Sequence, residues 1–296
     1  MKMVRPNRAF ATFLAVCFGA LVLLGLAACC LLAIVAYRVQ REGFSALTVG
    51  GNDVRPALGF LAVLTASALA GLWSLRKQSI ATRRLRQRIE ELRLAPSSGL
   101  IGAADLVGVA GRVDLIDTAE TVSFTYGLAD PRVAVSRGLL ASLSDAELEA
   151  VLEHERYHVL HRDPLKVLVI RLLAPALFFL PVLRELRSRY VAGRELAADR
   201  RVLHRQGQRS LAGALYKVVG SPAWVQLTPA AAIGGGEALE ARVHQLETGE
   251  APNAPRFSRI AIVASAGGAL TLLGAFFVST FAFGGPAALA RLCGGS

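Results

Sequence analysis

Glu153-His154-Glu155-Arg156-Tyr157-His158 sets two histidines four positions apart, with a glutamate directly after the first. On a helix, residues i and i+4 lie about 40° apart and one turn up, so both imidazoles can reach one ion. Glu155 is placed to take a proton from water polarised by that ion. Two ligands plus a general base is the spacing used for zinc-assisted hydrolysis. The bland alternative is a pair of ordinary helix-surface histidines.

The surrounding residues supply the helix. Ser144 is a candidate N-cap, Glu147 completes a capping box, and Asp145 suits the positive helix end. Leu148, Val151, Leu152 and Val159 recur at helical spacing, and Pro164 should end the helix near Asp163. A third ligand must come from elsewhere, because such sites use three protein ligands and keep the fourth position open. Arg194-Glu195-Leu196-Ala197-Ala198-Asp199-Arg200 offers Glu195 as that ligand. Asp199, four positions on, can hold a ligand imidazole by its other nitrogen. A salt-bridged face with Arg194, Arg200 and Arg201 explains the same spacing equally well. His161 lies roughly 10 Å along the axis from His154, too far to converge with it on one ion. His204 should face away from Glu195, and His244 has no assigned role.

The whole chain has 296 residues, 53% hydrophobic, with a net charge of +11. Its mean hydropathy is +0.46. That is too apolar for an ordinary soluble domain and points to membrane segments. Nucleic-acid binding is one reading of the basic balance, but the charge clusters beside apolar runs, so cytoplasmic membrane flanks explain it better. The four cysteines show no Cys-x-x-Cys spacing, which argues against a zinc ribbon or a disulfide framework.

Residues 1–76 read as two transmembrane helices, 10–36 and 57–75, joined by a short external loop from Tyr37 to Pro56. Leu26-Ala27-Ala28-Cys29 resembles a lipoprotein cleavage box, but the sequence stays apolar after it, which favours a span. Residues 77–99 read as a basic amphipathic linker lying on anionic lipid, cytoplasmic by the positive-inside rule. Residues 100–258 read as the catalytic domain. Its 106–116, 121–126 and 132–136 stretches suggest a small sheet beside the histidine helix, where an edge strand could pair with an extended peptide. Segment 165–183 is apolar but contains Lys166, Arg171, Pro175 and Pro181, and reads as a plain span or a kinked, re-entrant hairpin. Residues 259–290 read as a last span, ending near Gly284-Gly285-Pro286.

Taken in order, several pieces resemble integral-membrane gluzincin peptidases of the BlaR/MecR antirepressor type and the related HtpX-like type. They are Ser123-Phe124-Thr125-Tyr126-Gly127-Leu128 with Pro131, Ser136 to Leu140, Leu143 to His158, His161-Arg162-Asp163, and Glu195-Leu196-Ala197-Ala198-Asp199. The resemblance covers roughly residues 120–205 plus the membrane layout, and the Phe-Thr-Tyr-Gly segment leans to the BlaR/MecR side. It implies one Zn2+ per chain held by His154, His158 and Glu195, with Glu155 as base and Asp199 in support. The implied protein is mainly α-helical, with three to four transmembrane helices and a cytoplasmic zincin-like α+β domain carrying a small β-sheet. It would be a multi-pass protein of a bacterial cell membrane, an endopeptidase acting on cytoplasmic or membrane proteins. Expected partners are a protein or peptide substrate, of which a transcriptional repressor is one candidate, and membrane lipid, with no direct nucleic-acid binding. One departure stands out. The β-lactam receptors carry a large sensor domain after the last span, whereas here only Arg291 to Ser296 follow, so antibiotic sensing by that route is not expected. The rival readings are a general HtpX-like quality-control protease and a zinc-binding membrane signalling protein without turnover.

Overall fold

The computed structural model describes residues 6–43, 55–219, 235–253 and 256–282. Residues 44–54 of the predicted external loop, residues 220–234, and Gly284-Gly285-Pro286 fall outside them. Two compact units are present. One comprises Met1–Thr12, Leu75–Leu172 and Glu185–Arg256; the other comprises Phe13–Ser74, Leu173–Arg184 and Phe257–Ser296.

The second unit is built from helices α1 (Pro6–Glu42), α2 (Arg55–Glu91) and α10 (Arg259–Ala282). All three are long and apolar enough to cross a membrane. Ala27, Leu31, Ile34, Ala57, Phe60 and Leu272 pack together between them. Their other faces present Phe18, Leu26, Trp73, Ile260 and Phe281 outward. Such exposure suits a hydrocarbon solvent and would be unusual in water.

Two stretches are described more closely by the structure than by the sequence, the first being residues 77–99. Nothing between Trp73 and Glu91 breaks a helix, so α2 runs unbroken to Glu91, with an exposed Arg86–Glu90 pair at 3.6 Å. The stretch then continues as strand β1 (Arg93–Leu94) and enters α3 (Ser98–Val107), whose N-cap Ser97 accepts from the Leu100 N–H. Segment 165–183, expected as a plain span or a kinked, re-entrant hairpin, contains a break. It is α6 (Asp163–Ala176), with Pro175 in its last turn, followed by a break and the start of α7 (Val182–Arg205). Backbone groups at the break find protein partners: Leu180 donates to Leu177 O at 2.9 Å, and Val182 donates to Ser265 Oγ at 3.0 Å. Paired backbone groups of this kind are what a helix break would need at membrane depth.

The first unit holds a four-stranded sheet of order β1-β2-β4-β3, where β2 is Val113–Ile116, β3 is Ser123–Tyr126 and β4 is Arg132–Ser136. β2 and β4 run parallel, and the two outer pairings are antiparallel. Asp114 on β2 links all four strands. It accepts from Arg132 Nε (2.7 Å) and Nη2 (2.9 Å) on β4 and from Tyr126 Oη (2.5 Å) on β3, and Arg93 on β1 lies 3.4 Å away. Burial alone would raise the Asp114 carboxyl, but Arg132, Tyr126 and Arg93 hold it below its ordinary value. The β3–β4 turn needs Gly127, whose φ is +89 and whose side would meet the Asp130 carbonyl.

Against this sheet packs α5 (Asp145–His161), following the short α4 (Arg137–Ser142). Glu147 reaches back to the Ser144 N–H at 2.8 Å. The helix stops at His161, earlier than Pro164 suggested. Arg162 caps it in the left-handed conformation, and Pro164 sits in the first turn of α6. Leu148, Val151, Leu152 and Val159 of α5 join Leu100 and Val107 of α3 and Val133 and Val135 of β4 in the main core. A fully buried leucine of this kind contributes roughly 1.5–3 kcal/mol. α8 (Gln208–Val219) covers the adjacent side of α5 through Leu211 against Ala150 and Val202. α9 (Gly235–Thr248) follows.

Candidate metal centre

The α5 core residues bury one side of the helix, which turns His154 and His158 toward α7. Their Nε2 atoms lie 3.2 Å apart. Glu195 Oε2 is 3.4 Å from His154 Nε2, and Glu195 Oε1 is 3.8 Å from His158 Nε2. The three residues form a group able to hold a metal ion. His161 is turned elsewhere: its ring stacks on Tyr157 at 3.9 Å and its Nδ1 lies 2.8 Å from the Tyr157 carbonyl.

A buried carboxylate stands behind each histidine. His154 Nδ1 lies 2.9 Å from Asp199 Oδ1, close but off the line of a good hydrogen bond. His158 Nδ1 lies 2.7 Å from Asp163 Oδ2, and Asp163 Oδ1 accepts from Tyr190 Oη at 2.8 Å. The His158–Asp163 pairing suits the tautomer that leaves His158 Nε2 free, and Asp199 stands beside Nδ1 of His154 on the corresponding side. Asp199 is clamped in turn by Arg242 of α9, through Nε at 2.6 Å and Nη2 at 2.9 Å. Arg242 Nη1 is also 3.7 Å from Glu195 Oε2, and Arg194 Nε is 3.1 Å from Glu195 Oε1.

These neighbours set the local charge. Burial would raise the Glu195 carboxyl, but His154, His158, Arg194 and Arg242 hold it well below the carboxylate range. Asp199 is held low against burial by Arg242 and His154, and Asp163 by His158, Arg194 and Tyr190. Burial pulls His154 down, but Asp199 and Glu195 outweigh it and lift the imidazole to about 9. The site is therefore rich in negative charge matched by arginines, a balance in which an ion can displace a proton.

Glu155 is buried and points to the sheet side. The Thr125 hydroxyl on β3 lies 2.7 Å from Glu155 Oε2 and 3.2 Å from the Glu155 carbonyl, with the carboxylate nearer. β3 is one of the two edge strands of the sheet. Glu153, almost wholly buried, accepts from Arg201 Nε and lies 3.4 Å from Arg156 Nη1 and 3.5 Å from Arg205 Nη1. It joins α5 to α7, the helices carrying the two histidines and Glu195.

Asp163, Tyr190, Thr125, Glu153 and Arg242 had no assigned role from sequence. Asp163 was legible as the fifth residue after His158, and Thr125 lay within a quoted segment. Arg242 gave no local signal.

Two curated relatives are similar over part of the chain. A "Protease HtpX homolog" of Thermoplasma acidophilum is 42% identical over 59 residues, 19% of each chain. A "Protease HtpX homolog" of Acidiphilium cryptum is 41% identical over 69 residues, 22% of this chain and 24% of that one. The chain thus spans about a fifth to a quarter of the length of the curated relatives it matches. The sequence profile of the family described as BlaR1 peptidase M56 matches residues 58–246, more than half of the length and with both candidate ligand helices inside it. The chain belongs to the BlaR1 peptidase M56 family.

Proposed function

We propose that the protein is a zinc-dependent endopeptidase. The observation that carries this is the triangle of His154, His158 and Glu195. In a tetrahedral zinc centre with bonds of about 2.05 Å, donor atoms stand roughly 3.3 Å apart. The observed separations of 3.2, 3.4 and 3.8 Å fit, as does a set of two nitrogens and one oxygen. Zinc, when bound, polarises a peptide carbonyl and makes water a better nucleophile at neutral pH.

The remaining work falls to the chain. Glu155 takes the proton from the attacking water and returns it to the leaving amine. The Thr125 hydroxyl orients Glu155 from the edge strand. Asp199 and Asp163 hold His154 and His158 with Nε2 toward the ion. Arg242 fixes Asp199 and offsets the charge of Glu195. The free edge of β3 lets an extended substrate join the sheet beside the site.

The catalytic side is cytoplasmic in this reading, because Arg76, Lys77 and the arginines through Arg93 follow the apolar part of α2. The substrate is then a cytoplasmic or membrane protein, a transcriptional repressor in the antirepressor reading. The HtpX names of the two relatives favour a second reading, a protease acting on many membrane proteins. Proteome-wide terminal labelling of cells expressing wild type or Glu155→Gln separates them. Regulatory cleavage predicts one or a few Glu155-dependent cuts; quality control predicts many. No Glu155-dependent cut would contradict both.

A further inference from the structure

The face of α5 turned away from the two histidines lines a second concavity. Arg156, two positions past His154, lies about 200° round the helix from it. Arg156, Val159 and Leu160 form one wall of a cavity of about 360 Å³; Arg112, the Asp130–Pro131 turn and Arg162 form much of the rest. Three arginines from separate places in the chain thus line it together with one aspartate.

The existing pairings leave much of this charge unspent. Arg112 pairs with Asp130 at 3.5 Å, but both side chains are largely exposed, so the pair is weak. Arg156 reaches Glu153 with Nη1, yet its buried Nε has no acceptor. Arg162 has no ion-pair partner among the described residues. It also holds φ +50, the one positive φ outside glycine among them, at a helix end where glycine would serve without strain. The carbonyls of His158 and Val159, which would repel an anion there, are already engaged by the Arg162 N–H. A chain of net charge +11 has many surface arginines. A shared place in one concavity, with the buried Nε of Arg156 left unmet, distinguishes these three.

We propose that this cavity binds a phosphate-class anion. The guanidinium fork matches phosphate oxygens two at a time, which a scattered basic surface does not offer. A lipid headgroup and a soluble phosphate ester share this chemistry. Val109 and Leu160 in the lining would suit the apolar body of a lipid.

The test uses the full chain in detergent or nanodiscs, titrated calorimetrically with inorganic phosphate and with short-chain phosphatidic acid below its micellar concentration. The wild type should bind saturably. Arg112→Gln and Arg162→Gln, both at the surface, should each weaken binding roughly tenfold, as expected for loss of one charged hydrogen bond. An Arg83→Gln/Arg84→Gln variant removes charge elsewhere and should bind like the wild type. Tighter binding of phosphatidic acid assigns the lipid source, and equal affinity assigns a soluble phosphate; either supports the site. Absence of saturable binding, or equal loss in the Arg83/Arg84 variant and the cavity variants, overturns it.

Discussion

Thr125 and Glu155 are joined by a 2.7 Å hydrogen bond between an edge-strand hydroxyl and the carboxylate next to His154. The bond places the strand that can receive a substrate and the group that can move its proton in one rigid relationship. Thr125→Val keeps the shape and removes the donor. It should lower kcat about tenfold or more, within the range of misplaced general bases, and leave metal content unchanged. Thr125→Ser should restore most of the rate. Equal kcat in Thr125→Val and wild type would remove Thr125 from the account.

Asp163 and Asp199 are predicted to act through metal affinity. Asp199→Asn and Asp163→Asn should each weaken zinc binding about 10–100-fold in competition with a chelator, with the protein still folded. Arg242→Gln should weaken it less, since it reaches the site through Asp199.

His154 gives the metal-free protein a pH dependence with a definite sign. Its folded value is raised to about 9, above roughly 6.5 in an unfolded chain. The stability it contributes is fully present below pH about 6.5 and is lost as pH rises through about 9. Chelator-treated protein should therefore melt at progressively lower temperature between those values, and Asp199→Asn should flatten the trend. Zinc uptake near pH 7.5 should release at least one proton per chain, readable from calorimetry in buffers of different ionisation enthalpy.

Glu153 is predicted to be structural. It is 1% exposed and matched to Arg156, Arg201 and Arg205. Glu153→Ala leaves these charges without their shared carboxylate and should destabilise the first unit by about 3–5 kcal/mol. Thermal unfolding of the purified protein checks this; an unchanged Tm would show that the cluster contributes little.

The parts of the molecule written in local periodicity were legible without coordinates. The apolar stripe and cap of α5, the long apolar runs of α1, α2 and α10, and the alternation of β3 are of this kind. The proximity of His154 to His158 follows from helix geometry alone. Glu195 was ambiguous by spacing, and the family resemblance singled it out. What escaped depends on contacts across the fold. Arg242 reaches Asp199 from 43 positions away, and no pattern around it marks that reach. Asp163 stands at an expected helix end and inside one of the segments that carry the resemblance, but neither gives it a role toward His158, which it meets only in the fold. β1 is two residues long, below what alternation can reveal, and it exists because β2 offers it an edge. The basic part of α2 looked like a separate surface helix because charge changes there, although nothing interrupts the backbone.

The most direct measurement is zinc per chain in detergent-purified wild type, His154→Ala and Glu195→Ala, with Glu155→Gln alongside. The account predicts close to one zinc in the wild type and in Glu155→Gln, and loss of it in both ligand variants, although Glu195 lies on a different helix from the histidines. Full retention of zinc in Glu195→Ala, or none in the wild type, would contradict it.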